Sequence, residues 1–146
     1  MDIKGCQACY SCKEQGKCVV NDDMQTIYKE IEKADIVVFG APIYMSGLNG
    51  QFKIVLDRLF AFLGPAPEFK SRLPKGKKAA LVVPQGYENV KEYETHINQM
   101  RDAVASIGFE DVKVLSAPGL NGLGEAATRP NLMEEARKIG QSLAQA

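Results

Sequence analysis

The sequence predicts an α/β protein built on a parallel sheet, and three observations carry that prediction. The apolar run 36–39, rich in β-branched side chains, reads as a strand buried on both faces, residues 79–83 as a second buried strand and residues 112–115 as a third strand. Segments with apolar residues at helical spacing alternate with them. Gly40 and Pro42 close the first run and Pro84 closes the second, so each leads into a loop at a strand's carboxyl end.

Residues 1–21 hold all four cysteines, Gly5, Gly16 and many polar residues without a clear period, and are expected to form a loop. Asp22 reads as a helix N-cap, with Gln25 in the capping-box position. Met24, Ile27, Tyr28 and Ile31 then mark one apolar helical face. The run Ile36, Val37, Val38 and Phe39 is the first strand. After the loop 41–49, Phe52, Val55, Leu56, Leu59, Phe60 and Leu63 give an amphipathic helix. Residues 64–78 carry three prolines and five basic side chains and read as a surface connection. Residues 79–83 form the second strand, followed by a loop at Gln85, Gly86 and Tyr87. Asn89 caps a helix whose apolar face is Tyr93, Ile97, Met100, Val104 and Ile107, ended by Gly108. Residues 112–115 are the third strand and 117–127 a glycine-rich loop. Pro130 suits the first turn of a last helix bearing Leu132, Ala136, Ile139 and Leu143.

Alternating elements imply right-handed crossovers and a parallel sheet. The crossover helices fall on one face of it, and only the last helix remains for the other. One face and one edge are therefore expected to be under-covered. In open α/β sheets, binding sites lie outside the carboxyl ends of the strands, which marks loop 41–49.

The chain has 146 residues, enough for one real core, and is expected to form a single domain in which a cysteine loop (1–21) joins an α/β core (22–146). Eighteen basic and eighteen acidic residues cancel, which argues against a nucleic-acid or anionic-membrane partner. No apolar stretch reaches membrane-spanning length and the first residues do not read as a signal peptide, so the expected location is the cytoplasm.

The spacing Cys6-x2-Cys9-x2-Cys12-x5-Cys18 points to metal or redox chemistry. A compact run of this kind suits a [4Fe–4S] cluster, because one loop can wrap several corners of a cube. Zinc, which usually takes two separated Cys-x2-Cys knuckles, and an empty or oxidised motif are the alternatives. Loop residues Pro42 and Tyr44 admit two readings: a rigid aromatic ledge for a flat ring, or a turn that caps the core. Lys53 and Asp57, with Arg58 beside them, read as a surface ion pair. His96, the only histidine, reads as a surface residue, and Gly119, Gly122 and Gly124 do not match the dinucleotide fingerprint.

Taken in order, the four cysteines, Asp22-Asp23-Met24, Ala34-Asp35, Gly40-Ala41-Pro42-Ile43-Tyr44, Lys53 and Asp57-Arg58 resemble the NADPH-dependent FMN reductase family, and within it the iron–sulfur flavoprotein branch. The resemblance implies a flavodoxin-like fold, three-layered α/β/α around a parallel sheet, and electron transfer between FMN and a [4Fe–4S] cluster. It implies that Cys6, Cys9, Cys12 and Cys18 ligate the cluster. Pro42, Ile43, Tyr44 and Met45 would contact the flavin ring, with Gln85 and Gly86 approaching from the next loop. NAD(P)H or a redox partner protein would exchange electrons with it.

Family members open with a strand, a phosphate-binding loop, a helix and a second strand, a unit of ~30 or more residues that this sequence does not contain. The fold is therefore expected to be truncated at the N-terminus, with about three strands. Two expectations follow: the strand 36–39 pairs with another chain to give a homo-oligomer, and FMN is held weakly. The competing functions are a flavin-dependent oxidoreductase, and a non-catalytic cluster-binding electron carrier or truncated subunit that cannot hold FMN by itself.

Overall fold

The computed structural model describes residues 1–145. Three strands, β1 (Ile36–Gly40), β4 (Lys78–Pro84) and β5 (Asp111–Ala117), form a fully parallel sheet in the order β1-β4-β5. Two short strands, β2 (Ile43–Tyr44) and β3 (Gly47–Leu48), make a separate antiparallel hairpin just beyond β1. The helices are α1 (Ser11–Gln15), α2 (Met24–Lys33), α3 (Gly50–Arg58), α4 (Glu94–Ile107) and α5 (Pro130–Ala144).

The register places Val37, Ala79 and Val112 side by side, and Phe39, Leu81 and Val114 one pleat further on. This face carries the main core. Met24, Tyr28 and Ile31 of α2, Phe52 and Leu56 of α3, and Ile97, Val104 and Ile107 of α4 all pack into it. Phe39 sits at its centre, with edge-on contacts to Phe52 and Phe109 at centroid separations of 6.0 and 5.8 Å. Among the described residues the opposite face receives only α5, whose Leu143 is buried while Leu132, Ala136 and Ile139 are half-covered.

Two neighbouring lysines tie these layers together. Lys77 is buried, and its Nζ donates to the carbonyls of Glu32 and Ala34 at the end of α2, at 2.9 and 2.5 Å. Lys78 Nζ donates to the carbonyls of Leu143 and Gln145 at the end of α5, at 2.9 and 2.6 Å. A cation at a helix C-terminus satisfies orphan carbonyls and opposes the dipole.

The expectation that residues 36–39 are buried on both faces is corrected. Phe39 is buried, but Val38 is 65% exposed and Ile36 37% exposed. β1 is an edge strand whose second face α5 does not cover. This is the under-covered face and edge that the crossover argument anticipates.

Local departures have local causes. The predicted helix from 50 to 63 ends at Arg58 and tightens into a 3-10 turn, Leu59–Phe62. Asn89 caps a short 3-10 turn, accepting from the Lys91 N–H at 3.1 Å, and α4 begins only at Glu94. Gly108 ends α4 at φ 125°, where a Cβ would lie 2.1 Å from Ser71 Oγ. The connection 64–78 is not wholly on the surface, since Leu73 and Lys77 are buried.

Candidate metal and cofactor site

The cysteine segment is folded tightly by two residues in left-handed backbone, Ala8 at φ 50° and Tyr10 at φ 58°. Side chains with a Cβ adopt that conformation at a cost. The segment then enters the short helix α1, which Gly16 ends at φ 75°. All four thiols are free; Cys6 and Cys9 are exposed, and Cys12 and Cys18 half-buried. They line one concavity, whose wall is completed by Val19, Arg58, Phe60 and Ala61.

Side chains from three places in the fold hold this segment by its backbone, and Lys13 of the segment anchors it in return. Gln25 Nε2, on α2, donates to the carbonyls of Cys18 and Val20 at 3.0 and 2.7 Å. Arg72 donates to the carbonyls of Cys12, Lys13 and Ala61 at 2.8, 3.2 and 3.2 Å. Lys13 Nζ reaches the carbonyls of Phe60 and Leu63 at 2.6 and 2.7 Å and lies 3.4 Å from the centre of the Phe60 ring. Arg58, at the end of α3, donates to the carbonyl of Lys4 at 2.8 Å.

Arg58 and Asp22 form a fully desolvated ion pair, with side chains 1% and 0% exposed and the shortest N–O distance 2.7 Å. The Asp22 carboxylate also accepts from the N–H groups of Lys4 and Met24. The Arg58 guanidinium and these N–H groups hold the Asp22 carboxyl below the usual carboxylate range, although burial opposes them. Asp22 is thus a clasp between the cysteine segment and α3 rather than a simple cap, and Gln25 holds the segment instead of closing a capping box. Arg58 lies in the core, and Lys53 and Asp57 form the expected exposed pair at 2.6 Å.

Hydrogen bonds from the Ser11 side chain and backbone pull the Cys9 thiol below its ordinary value, towards the thiolate that binds metal. Among the described residues, no three His, Cys, Asp or Glu side chains meet around a single-ion position. All four cysteines nonetheless contribute to the lining of one concavity.

A second group of residues gathers at the carboxyl ends of β1 and β4, adjacent strands in register at Gly40 and Val82. Ala41 extends the ladder by one bond to the Val82 carbonyl, at 2.9 Å. The chain then turns through the β2–β3 hairpin, with Met45 and Ser46 at its tip at φ 47° and 67°. Both central residues are left-handed, the type I′ arrangement that usually selects Asn and Gly. Tyr44 is 63% exposed and Met45 wholly exposed, while Pro42 and Ile43 are half-buried. On the next loop Gln85 is buried, and its Nε2 donates to the carbonyls of Tyr87 and Asn89 at 3.0 and 3.2 Å. Its Oε1 has no partner. Gly86 lies against Asn121, where a Cβ would come 2.6 Å from Oδ1. The predicted residues therefore form one hairpin and one neighbouring loop. Helix α3 links that hairpin to the wall of the cysteine cavity, across nine residues that span on the order of 13 Å.

Comparison with known proteins agrees with this architecture. The sequence profile described as NADPH-dependent FMN reductase matches residues 1–113. The chain belongs to that family. Within it, the chain resembles the iron–sulfur flavoproteins. One from Methanocaldococcus jannaschii is 39% identical over 57 residues, covering 39% of this chain and 30% of the relative. One from Archaeoglobus fulgidus is 27% identical over 109 residues, covering 73% and 47%. An FMN-dependent NADH:quinone oxidoreductase from Gluconobacter oxydans is 30% identical over 125 residues, covering 79% and 61%. The chain thus spans between 30% and 61% of the length of these relatives. Among solved structures, an NAD(P)H:quinone oxidoreductase from Methanothermobacter marburgensis superposes with a TM-score of 0.70 at 17% identity, over 100% of this chain and 76% of the other. An FMN-dependent NADH-azoreductase from Bacillus anthracis gives 0.68 at 16%, over 99% and 78%. The fold is flavodoxin-like, and the three parallel strands seen here form part of that architecture.

The residues that sequence reasoning missed are Arg58, Lys13 and Arg72. Each acts across a long separation, 36 residues for the Arg58–Asp22 pair and 60 for the Arg72–Cys12 contact, so no local spacing reveals them.

Proposed function

We propose that this chain is a flavin-dependent redox protein in which Cys6, Cys9, Cys12 and Cys18 hold a [4Fe–4S] cluster. In the same reading, Pro42, Ile43, Tyr44 and Met45, with Gln85 and Gly86, form the ledge for the ring of FMN. The observation that carries the reading is that all four cysteines, each with a free thiol, line one concavity. The family supports FMN, and the orphaned buried Gln85 Oε1 fits a ligand that presents an N–H. The chemistry these groups supply when bound is hydride exchange at the flavin and one-electron exchange at the iron.

The protein's own part is binding and electrostatics. Lys13, Arg58 and Arg72 place three cations around four thiolates and offset their charge. Phe60, Ala61 and Val19 limit water at the cavity wall, which strengthens those interactions. Pro42 stiffens the hairpin, and exposed Tyr44 and Met45 offer an aromatic face and a polarizable one. In this reading the chain is one cytoplasmic domain with the cysteine loop 1–21 attached to the core 22–146. It exchanges electrons with NAD(P)H or a redox partner, and β1 pairs with a second copy. Among the described residues no helix is long and apolar enough to cross a membrane.

A second reading is a cluster-binding electron carrier or subunit without its own flavin. The outer edge of β1, unpaired among the described residues, favours it. Counting iron, sulfide, zinc and FMN per chain after anaerobic purification separates the readings. Iron with flavin supports the enzyme, and iron alone the carrier. Zinc alone contradicts both.

A further inference from the structure

A buried guanidinium needs an acceptor for each of its five N–H groups, and that of Arg58 has acceptors for three. Nη1 donates to Asp22 Oδ2 and to the Lys4 carbonyl, and Nη2 to Asp22 Oδ1. Nε is buried without a partner. Asp22 cannot supply one, because its two oxygens already accept four hydrogen bonds, from Lys4, Met24 and both Nη atoms. The side chain forms part of the wall of the cysteine cavity. Burial works against the Arg58 charge, yet Asp22, Tyr28 and the nearby Cys18 sulfur outweigh it and favour the protonated form.

We propose that Arg58 Nε–H donates a hydrogen bond to a sulfur of the metal centre held by the cysteines, either the Cys18 thiolate or a sulfide beside it, and makes that centre easier to reduce. The inference rests on the cluster reading above. A hydrogen bond from a cation to sulfur stabilises the more negative, reduced state more than the oxidised one, so it raises the reduction potential. The Asp22 clasp fixes the guanidinium plane and leaves Nε as its buried nitrogen without any acceptor. Arg58 is in this sense a positioning and tuning residue. Lysine cannot replace it while also keeping the two-pronged bond to Asp22.

The test uses the whole chain carrying arginine labelled with 15N at Nε, loaded anaerobically and reduced. Pulsed electron spin resonance should show an arginine nitrogen coupled to the cluster spin. R58K at full iron content should lose that coupling and shift the midpoint potential downward. R101K, on the exposed side of α4, should keep both. Four irons per chain in the wild type without an arginine coupling would overturn the inference alone. An unchanged potential in iron-replete R58K would do the same. If R58K does not hold iron, the wild-type coupling still decides. A wild-type chain that takes up no iron overturns the cluster reading and this inference together, and the iron count shows it before any coupling is measured.

Discussion

Asp22 and Arg58 show how much one buried pair is asked to do. They join the start of the cysteine segment to α2 and α3, and removing one partner leaves the other charged and dry. Breaking such a pair costs about 3–5 kcal/mol. Asp22→Ala should therefore lower the unfolding free energy by about that amount in a urea titration. The pH dependence has a definite sign. The folded carboxyl is held below its unfolded value, so its contribution is fully present above the ordinary carboxylate range. It is lost as pH falls through the lower folded value. Asp22→Asn should flatten the acid limb of the stability profile. Gln85 makes a smaller claim: losing one hydrogen bond of about 1 kcal/mol should weaken FMN binding about fivefold in Gln85→Ala, read by flavin fluorescence. None of these roles follows from residue spacing. Asp22 stands where an N-cap is expected, and Arg58 continues a polar helical face. Only the tertiary fold shows that both are buried.

At the level of elements, the strands and helix faces were legible because burial imposes a period. Met24, Tyr28 and Ile31 face the core as the helical spacing requires, as do Tyr93, Ile97, Val104 and Ile107. The β2–β3 hairpin was not legible, since Met45 and Ser46 occupy positions that normally demand Gly or Asn. Nor was the one-sided burial of β1. Its four apolar residues look alike in sequence, but neighbouring residues point to opposite faces and one face here lacks a helix. This makes β1 a place to separate stability from association. Phe39→Ala should cost about 3–5 kcal/mol, because it empties the centre of the core. Val38→Lys should change stability by less than about 0.5 kcal/mol, because the site faces solvent, yet should abolish any self-association along β1. Sedimentation of the two variants checks both outcomes. An oligomer that survives Val38→Lys would place its interface elsewhere.

Across the whole molecule, two half-sites are held by one scaffold. The cysteine cavity and the strand-end hairpin sit at the two ends of α3, and Lys77 and Lys78 lock the helices that flank the sheet. The proposed reading gives the 146-residue chain contacts for a flavin ring, while none of its glycine-rich segments matches a dinucleotide or phosphate-loop fingerprint. It should accordingly bind FMN weakly by itself. In the proposed reading, the four cysteines by contrast supply all the ligands of a cluster, and the redox role rests on them. The most direct measurement is a Mössbauer spectrum of the chain enriched in 57Fe and purified without oxygen. The account predicts four irons per chain with the signature of tetrahedral sulfur ligation, reduced together in a cluster that Cys12→Ala fails to assemble. Iron bound singly, iron with nitrogen or oxygen ligands, or a site filled only by zinc would contradict it.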